Sequence, residues 1–198
     1  MDRSSSPTLT LVALALFVAV VQGLLSLFGV SPWTFALAWP LGHRPWTLLT
    51  SVFAHGGPTH LVTNLFGLAL LGLLLERRTS PTRFYAFFVL TGMLAGVMQV
   101  AVYALVFGKQ AVVLGASGAI FGLFGYVLAS NRLTELVAAG IEIRPRVQLA
   151  ILIAVAVVLT VVTGGERVAL IAHFTGLLIG LAAGREHLLR PSSPGARR

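Results

Sequence analysis

The sequence contains no cysteine, which excludes disulfides, thiol nucleophiles and cysteine-ligated zinc. Acids are almost as scarce: Asp2, Glu76, Glu135, Glu142, Glu166 and Glu186 are all there are. No His-Glu-x-x-His segment occurs, so the helical zinc-protease pattern is missing. The two halves of the chain show no repeat, which argues against an inverted-repeat transporter. Charged residues of both signs make up only 10% of the chain, where a water-soluble domain carries about 25%.

Apolar side chains fill the space these absences leave. They form 57% of the 198 residues, and several runs reach the roughly 20 residues that cross a bilayer as a helix. The composition therefore predicts an all-α membrane protein, a bundle of six transmembrane helices. The expected spans are Leu9–Val30, Thr59–Leu75, Phe84–Phe107, Leu114–Ser130, Val147–Val162 and Val168–Gly184, with Ala111-Val112-Val113 as an apolar lead-in to the fourth. The first run is long and is followed by no clean small-x-small cleavage signal, so it reads as a retained span. Residues 1–8 form a short N-terminal segment, 9–184 the membrane domain, and 185–198 a basic tail rich in proline and serine.

Between the first two spans, Ser31–Pro58 carries Pro32, Pro40, Pro45 and Pro58 together with Trp33, Trp39 and Trp46. Proline at this density excludes a continuous helix, and tryptophan favours the membrane–water boundary. A long interfacial outer loop with short helices is expected.

The net charge of +8 reports topology rather than nucleic-acid binding. With the N-terminus inside, eleven of the fourteen basic residues fall in inner segments. Only Arg44, Lys109 and Arg167 fall outside. The positive-inside rule thus predicts a multi-pass protein of the cell membrane with both termini cytoplasmic.

In that topology spans two, four and six run inward, and each has its polar residues near its outer end: His60 and Asn64, Ser117, and His173. At about 1.5 Å per residue they lie at one level in the outer half of the bilayer. His60 and Asn64 are four apart and share a helix face. Taken singly, Asn64 also reads as interhelical glue, and Ser117 in Gly115-Ala116-Ser117-Gly118 as helix packing. Histidine inside a span points more directly to function. Gly115, Gly118, Gly122 and Gly125 on span four, and Gly176, Gly180 and Gly184 on span six, form faces that let two helices approach closely. Close approach is what contact between Ser117 and His173 requires.

A serine acts as nucleophile with a base in reach, and His173 is the candidate. A third, carboxylate member is nearly excluded by the acids, of which only Glu166 lies on the outer side. A Ser–His dyad is the economical arrangement. Free N–H groups at the start of span four, with His60 and Asn64, are candidate donors to an oxyanion. No cofactor or metal is implied. His55 is expected as a loop residue near the mouth of the site, and His43 and His187 as surface residues.

These motifs resemble those of the rhomboid intramembrane serine proteases, in the six-span core form of bacterial members. The resemblance runs from about Trp46 to Gly184. It rests on His60-Leu-Val-Thr-Asn64, Gly115-Ala-Ser117-Gly118, Ala172-His173-Phe-Thr-Gly176-Leu-Leu-Ile-Gly180 and Gly72-x-x-x-Glu76, in order and on the matching spans. It implies a serine endopeptidase that cuts transmembrane segments of other proteins in the lipid bilayer, from a site open to the extracytoplasmic side. Ser117 would be nucleophile and His173 general base. His60, Asn64 and the Ser117 N–H would form the oxyanion hole, and span five with its neighbouring loop the substrate gate. Two positions depart from the family pattern. Trp46 is followed by Thr47, not arginine, which bears on loop stability. A residue that is often tyrosine, stacked on the histidine, is Phe121. The competing expectation is a non-catalytic relative that binds membrane clients; such relatives usually lack the serine or the histidine, and both are present here.

Overall fold

The computed structural model describes residues 6–130 and 169–190. Its long helices start where the sequence places a cap followed by proline. α1 (Pro7–Leu27) is capped by Ser6, whose Oγ accepts from the Leu9 N–H at 3.2 Å. α3 (Pro58–Glu76) follows Gly57, and α4 (Pro81–Leu105) follows Ser80, whose Oγ accepts from the Arg83 N–H. Proline is favoured at a first helical position because its missing N–H would have no partner there. Each of these helices therefore starts one to three residues earlier than hydropathy alone indicates. α1 also ends before Val30: Gly29 adopts a φ of 79° and the Val30 N–H returns to the Leu25 carbonyl, a glycine-terminated helix end.

The interfacial segment forms two 3-10 turns, Pro32–Phe35 and Leu41–His43, a two-residue strand β1 (Leu37–Ala38) and a short helix α2 (Thr47–Phe53). Leu37, Ala54 and Val52 are buried against the bundle, while Trp33 and Trp46 remain exposed. Thr47, one of the two departures from the family pattern, opens α2. It is buried, and its hydroxyl donates to the Arg44 carbonyl at 2.6 Å; the Arg44 guanidinium reaches the Thr34 carbonyl at 3.4 Å.

The lead-in to the fourth span is not helical. Val112–Val113 is a strand, β2, antiparallel to β1 with Leu37 opposite Val113 and Ala38 opposite Val112. Helix α5 begins only at Ser117 and is described as far as Ser130, and α6 spans Leu170–Arg185. An extended chain advances about 3.3 Å per residue against 1.5 Å in a helix. The strand thus covers more distance per residue than a helical lead-in would before α5 begins.

Phe84, Phe88, Leu68 and Leu123 are buried at the centre. Phe17, Val20, Phe66, Leu90 and Leu94 are exposed on the outer faces, as lipid-facing residues are. α1, α3 and α4 are each long and apolar enough to cross a membrane, and α5 and α6 are shorter apolar helices. The protein is a membrane-embedded, multi-pass helical bundle; the expected fifth span, Val147–Val162, lies outside the described residues.

Gly72 and Glu76 fasten α1 to α3. The Glu76 carboxylate accepts from the Ser6 hydroxyl at 2.7 and 2.8 Å and from the Thr8 N–H at 2.9 Å. It thereby satisfies the N-terminus of α1, where a negative charge is favoured. A Cβ on Gly72 would stand 2.6 Å from the Thr8 hydroxyl, so α1 crosses where glycine permits it. At the far end of α6 the chain folds back: Leu189 is buried in the core, and the Arg83 guanidinium donates to the carbonyls of Leu188 and Arg190.

Candidate active site

Ser117 is the first residue of α5, and the helical ladder begins beside it with the Ile120 N–H on the Ala116 carbonyl at 3.0 Å. The N–H groups of Ser117, Gly118 and Ala119 thus have no acceptor within the helix, and the positive end of its dipole lies at the serine. The turn before it is built by Gly115. Its φ is 121°, its N–H donates to the Ser51 carbonyl at 2.8 Å, and a Cβ there would stand 2.7 Å from His60 Cε1. Only glycine meets both the left-handed backbone and the flat contact with the His60 ring.

His173 lies in the first turn of α6, its N–H on the Ala169 carbonyl. Its Nε2 is 2.8 Å from Ser117 Oγ, a full hydrogen bond. The ring stacks on Phe121, with centroids 4.3 Å apart and planes 14° from parallel. Phe121 is four residues beyond Ser117, so one face of α5 carries both the hydroxyl and the stacking ring. His173 Nδ1 is buried and has no hydrogen-bond partner among the described residues. For Nε2 to accept the serine proton, Nδ1 must carry the ring's own hydrogen. Glu76 bonds the start of α1, and Glu186 follows the C-terminus of α6, so among the described residues packing rather than a carboxylate orients the imidazole. Glu166 lies outside the described residues, as does the expected gate at span five.

Small residues make this contact possible. A Cβ on Gly176 would overlap the Gly118 carbonyl, and one on Gly180 the Gly122 carbonyl. Gly118 and Gly122 also face α4: a Cβ on either would come within 2.7 Å of Ala95 Cβ or 2.6 Å of Thr91 Cγ2 respectively. Gly118, Gly122, Gly176 and Gly180 therefore occupy positions where backbones meet, and Gly115 makes room for the His60 ring.

His60 and Asn64 stand one turn apart on α3. His60 borders Gly115, as above. Asn64 is buried, its Nδ2 donating to the His60 carbonyl at 2.8 Å and its Oδ1 without a partner among the described residues. The amide is thus partly engaged with its own helix. His55 is buried, at 5% exposure, and its ring meets that of His60 edge-on at 5.1 Å. Burial foremost, then the neighbouring His60, pulls its imidazole down to about 4, against the opposing effect of the Phe53 carbonyl. His43 is exposed; His187 is half-buried with a φ of 51°.

Two buried glutamines were not among the expected site residues. Gln22 of α1 accepts from the His55 N–H at 3.0 Å and donates to the His55 and Pro32 carbonyls. Gln99 of α4 accepts from the Ala172 N–H at 3.1 Å. Each is the only amide side chain of its helix and sits among apolar neighbours, and that isolation was the signal available in the sequence.

A family model described as Rhomboid domain matches residues 42–188. RHOMBOID-like protein 5 of Arabidopsis thaliana is 33% identical over 147 residues, covering 74% of this chain and 45% of that protein. The putative rhomboid protease YdcA of Bacillus subtilis (strain 168) is 36% identical over 83 residues, 42% of this chain and 40% of its own length. A further Arabidopsis relative, Inactive RHOMBOID-like protein 8, is 30% identical over 88 residues, 44% of this chain and 24% of its own length. The chain spans less than half the length of these relatives. The family match takes in α2, the entire α3–α5 core and α6 with every residue of the Ser–His contact, and by it this chain belongs to the rhomboid family.

Proposed function

We propose that the protein is an intramembrane serine endopeptidase that cleaves transmembrane segments of other membrane proteins. The observation that carries this reading is the 2.8 Å contact between Ser117 Oγ and His173 Nε2, with the histidine held flat against Phe121. His173 Nε2 takes the hydroxyl proton as Oγ attacks the peptide carbonyl. It then returns that proton to the leaving amine, and water drawn through the same base hydrolyses the acyl-enzyme. The negative oxygen of each tetrahedral intermediate forms at the start of α5, where the Ser117 N–H and the helix dipole favour it, with His60 and Asn64 as side-chain donors.

The positive-inside distribution supports cytoplasmic termini and a site that opens to the extracytoplasmic side. Residues 1–8 and 185–198 then flank a membrane domain at 9–184, with the chain packed back onto it as far as Leu189. The partners are transmembrane substrates reached through the lipid. A helix must unwind locally to present its peptide bond, so segments with helix-weakening residues and a small residue before the cut are preferred.

Ser117→Ala should abolish cleavage of a reporter transmembrane substrate in detergent and abolish labelling by a fluorophosphonate. Cleavage that persists in this variant would refute the assignment. A second reading, a non-catalytic client-binding protein, is favoured by one observation: a relative bears the word inactive in its name. A wild-type protein that binds substrate yet resists the fluorophosphonate would decide for it.

A further inference from the structure

Among the described residues, α6 has no side-chain cap from its own flank. Its flanking residue is Ala169, which offers no side-chain acceptor. Counting from Leu170, the third helical residue is Ala172, and its N–H is the last in that turn without a helical partner, since the next, from His173, reaches the Ala169 carbonyl. Gln99 Oε1 fills this place from another helix, at 3.1 Å, and is itself 95% removed from solvent, with an exposure of 5%. An apolar site leaves such a donor no water to turn to, so the glutamine is the acceptor on which that turn depends.

The same face of α4 touches α5. Ala95 lies four residues, one helical turn, before Gln99. Its Cβ is the nearest atom to the place where a side chain on Gly118 would begin. Ala95 thus bears on the residue after Ser117, and Gln99 on the residue before His173. One turn of α4 sets both helices.

We propose that Gln99 is a positioning residue: by holding the first turn of α6 against α4, it sets the height at which His173 meets Ser117. This rests on the proposed reaction only for its kinetic consequence; the capping of α6 is independent of it.

The test uses the full chain in detergent with Gln99→Leu, which removes the acceptor at similar volume, and Gln99→Glu, which keeps an oxygen in place. Amide exchange over residues 170–176 and the rate of fluorophosphonate labelling are measured together. In Gln99→Leu the first turn of α6 should exchange faster. Labelling should slow by roughly ten- to a hundredfold, the scale of a small misplacement of reacting groups, with kcat on a reporter substrate falling and KM little changed. Gln99→Glu should recover most of both losses. Unchanged exchange in Gln99→Leu would overturn the cap. Faster exchange with undiminished labelling would overturn the positioning role. Should Gln99→Leu fail to accumulate, Gln99→Asn, one methylene shorter, carries the same comparison. A wild-type protein that does not label at all sinks the protease reading instead, and the exchange measurement still decides the cap.

Discussion

Replacing Gly176 with alanine adds one methyl group at the point where α6 leans on α5. Gly176 is three residues past His173, and the carbonyl it abuts belongs to Gly118, next to Ser117. The new Cβ would overlap that carbonyl outright, because backbone meets backbone and no flexible side chain can swing aside. Relief to an ordinary contact requires the helices to part by roughly 1.5 Å. Applied at the dyad, that displacement stretches the 2.8 Å Oγ–Nε2 contact to about 4 Å, outside hydrogen-bond range. The overpacking should cost about 1–3 kcal/mol of stability. The misplaced base should cost on the order of a hundredfold in rate. The assay is the second-order rate of fluorophosphonate labelling, read beside thermal unfolding in the same detergent. Gly23→Ala on α1 is the control, since nothing lies within 4 Å of its Cβ position. Alanine there should leave labelling intact and raise stability by about 0.5–1 kcal/mol. Wild-type labelling and stability in Gly176→Ala would show that the glycines do not set the Ser–His distance.

The helix contacts around the site and at the start of α1 bear on three further measurements. Phe121→Ala removes the ring stacked on His173 and should lower kcat by roughly fivefold, the equivalent of an aromatic contact worth about 1 kcal/mol, whereas Phe121→Tyr should retain activity; equal rates in the two variants would exclude the stack from orienting the imidazole. Glu76→Ala and Ser6→Ala should each lower the unfolding midpoint and should couple by about 1 kcal/mol in a double-mutant cycle, because one carboxylate holds the start of α1; additive losses would count against that fastening. His55 has a folded value near 4 against 6.5 when exposed. The unfolded chain therefore binds the proton first, and stability should fall as pH drops from about 6.5 to 4 and then level off. His55→Phe should flatten this part of the unfolding profile, and an unaltered profile would refute the assignment.

Much of the site was legible because membrane sequences leave polar residues conspicuous. Ser117, His173, His60 and Asn64 stood out against apolar runs, and the basic residues supplied the direction in which to count. Ser117 and His173 do meet, at 2.8 Å, but the lead-in Ala111-Val112-Val113, read as an apolar extension of the fourth span, holds the strand β2 instead. Two apolar residues in an extended pair look no different from two in a helix, and the partner strand is over seventy positions away, so no local period marks it. Glu76 was visible as part of a motif, but its work at the start of α1 was not, because a side chain that caps another helix depends on how the helices cross. Gln22 and Gln99 were hidden for the same reason. Their partners are backbone groups, which every residue has, so sequence offers no chemical clue to the pairing.

α1 and β1 both precede residue 42, where the family match begins. Yet Gln22 of α1 grips His55 by its N–H and its carbonyl, and His55 in turn meets the ring of His60. β1 holds β2, which leads to Ser117. The unit that recurs across the family and the unit that is mechanically sound in this chain are therefore not the same. An expression boundary drawn at residue 42 would keep every residue of the Ser–His contact and discard the scaffolding behind two of its walls.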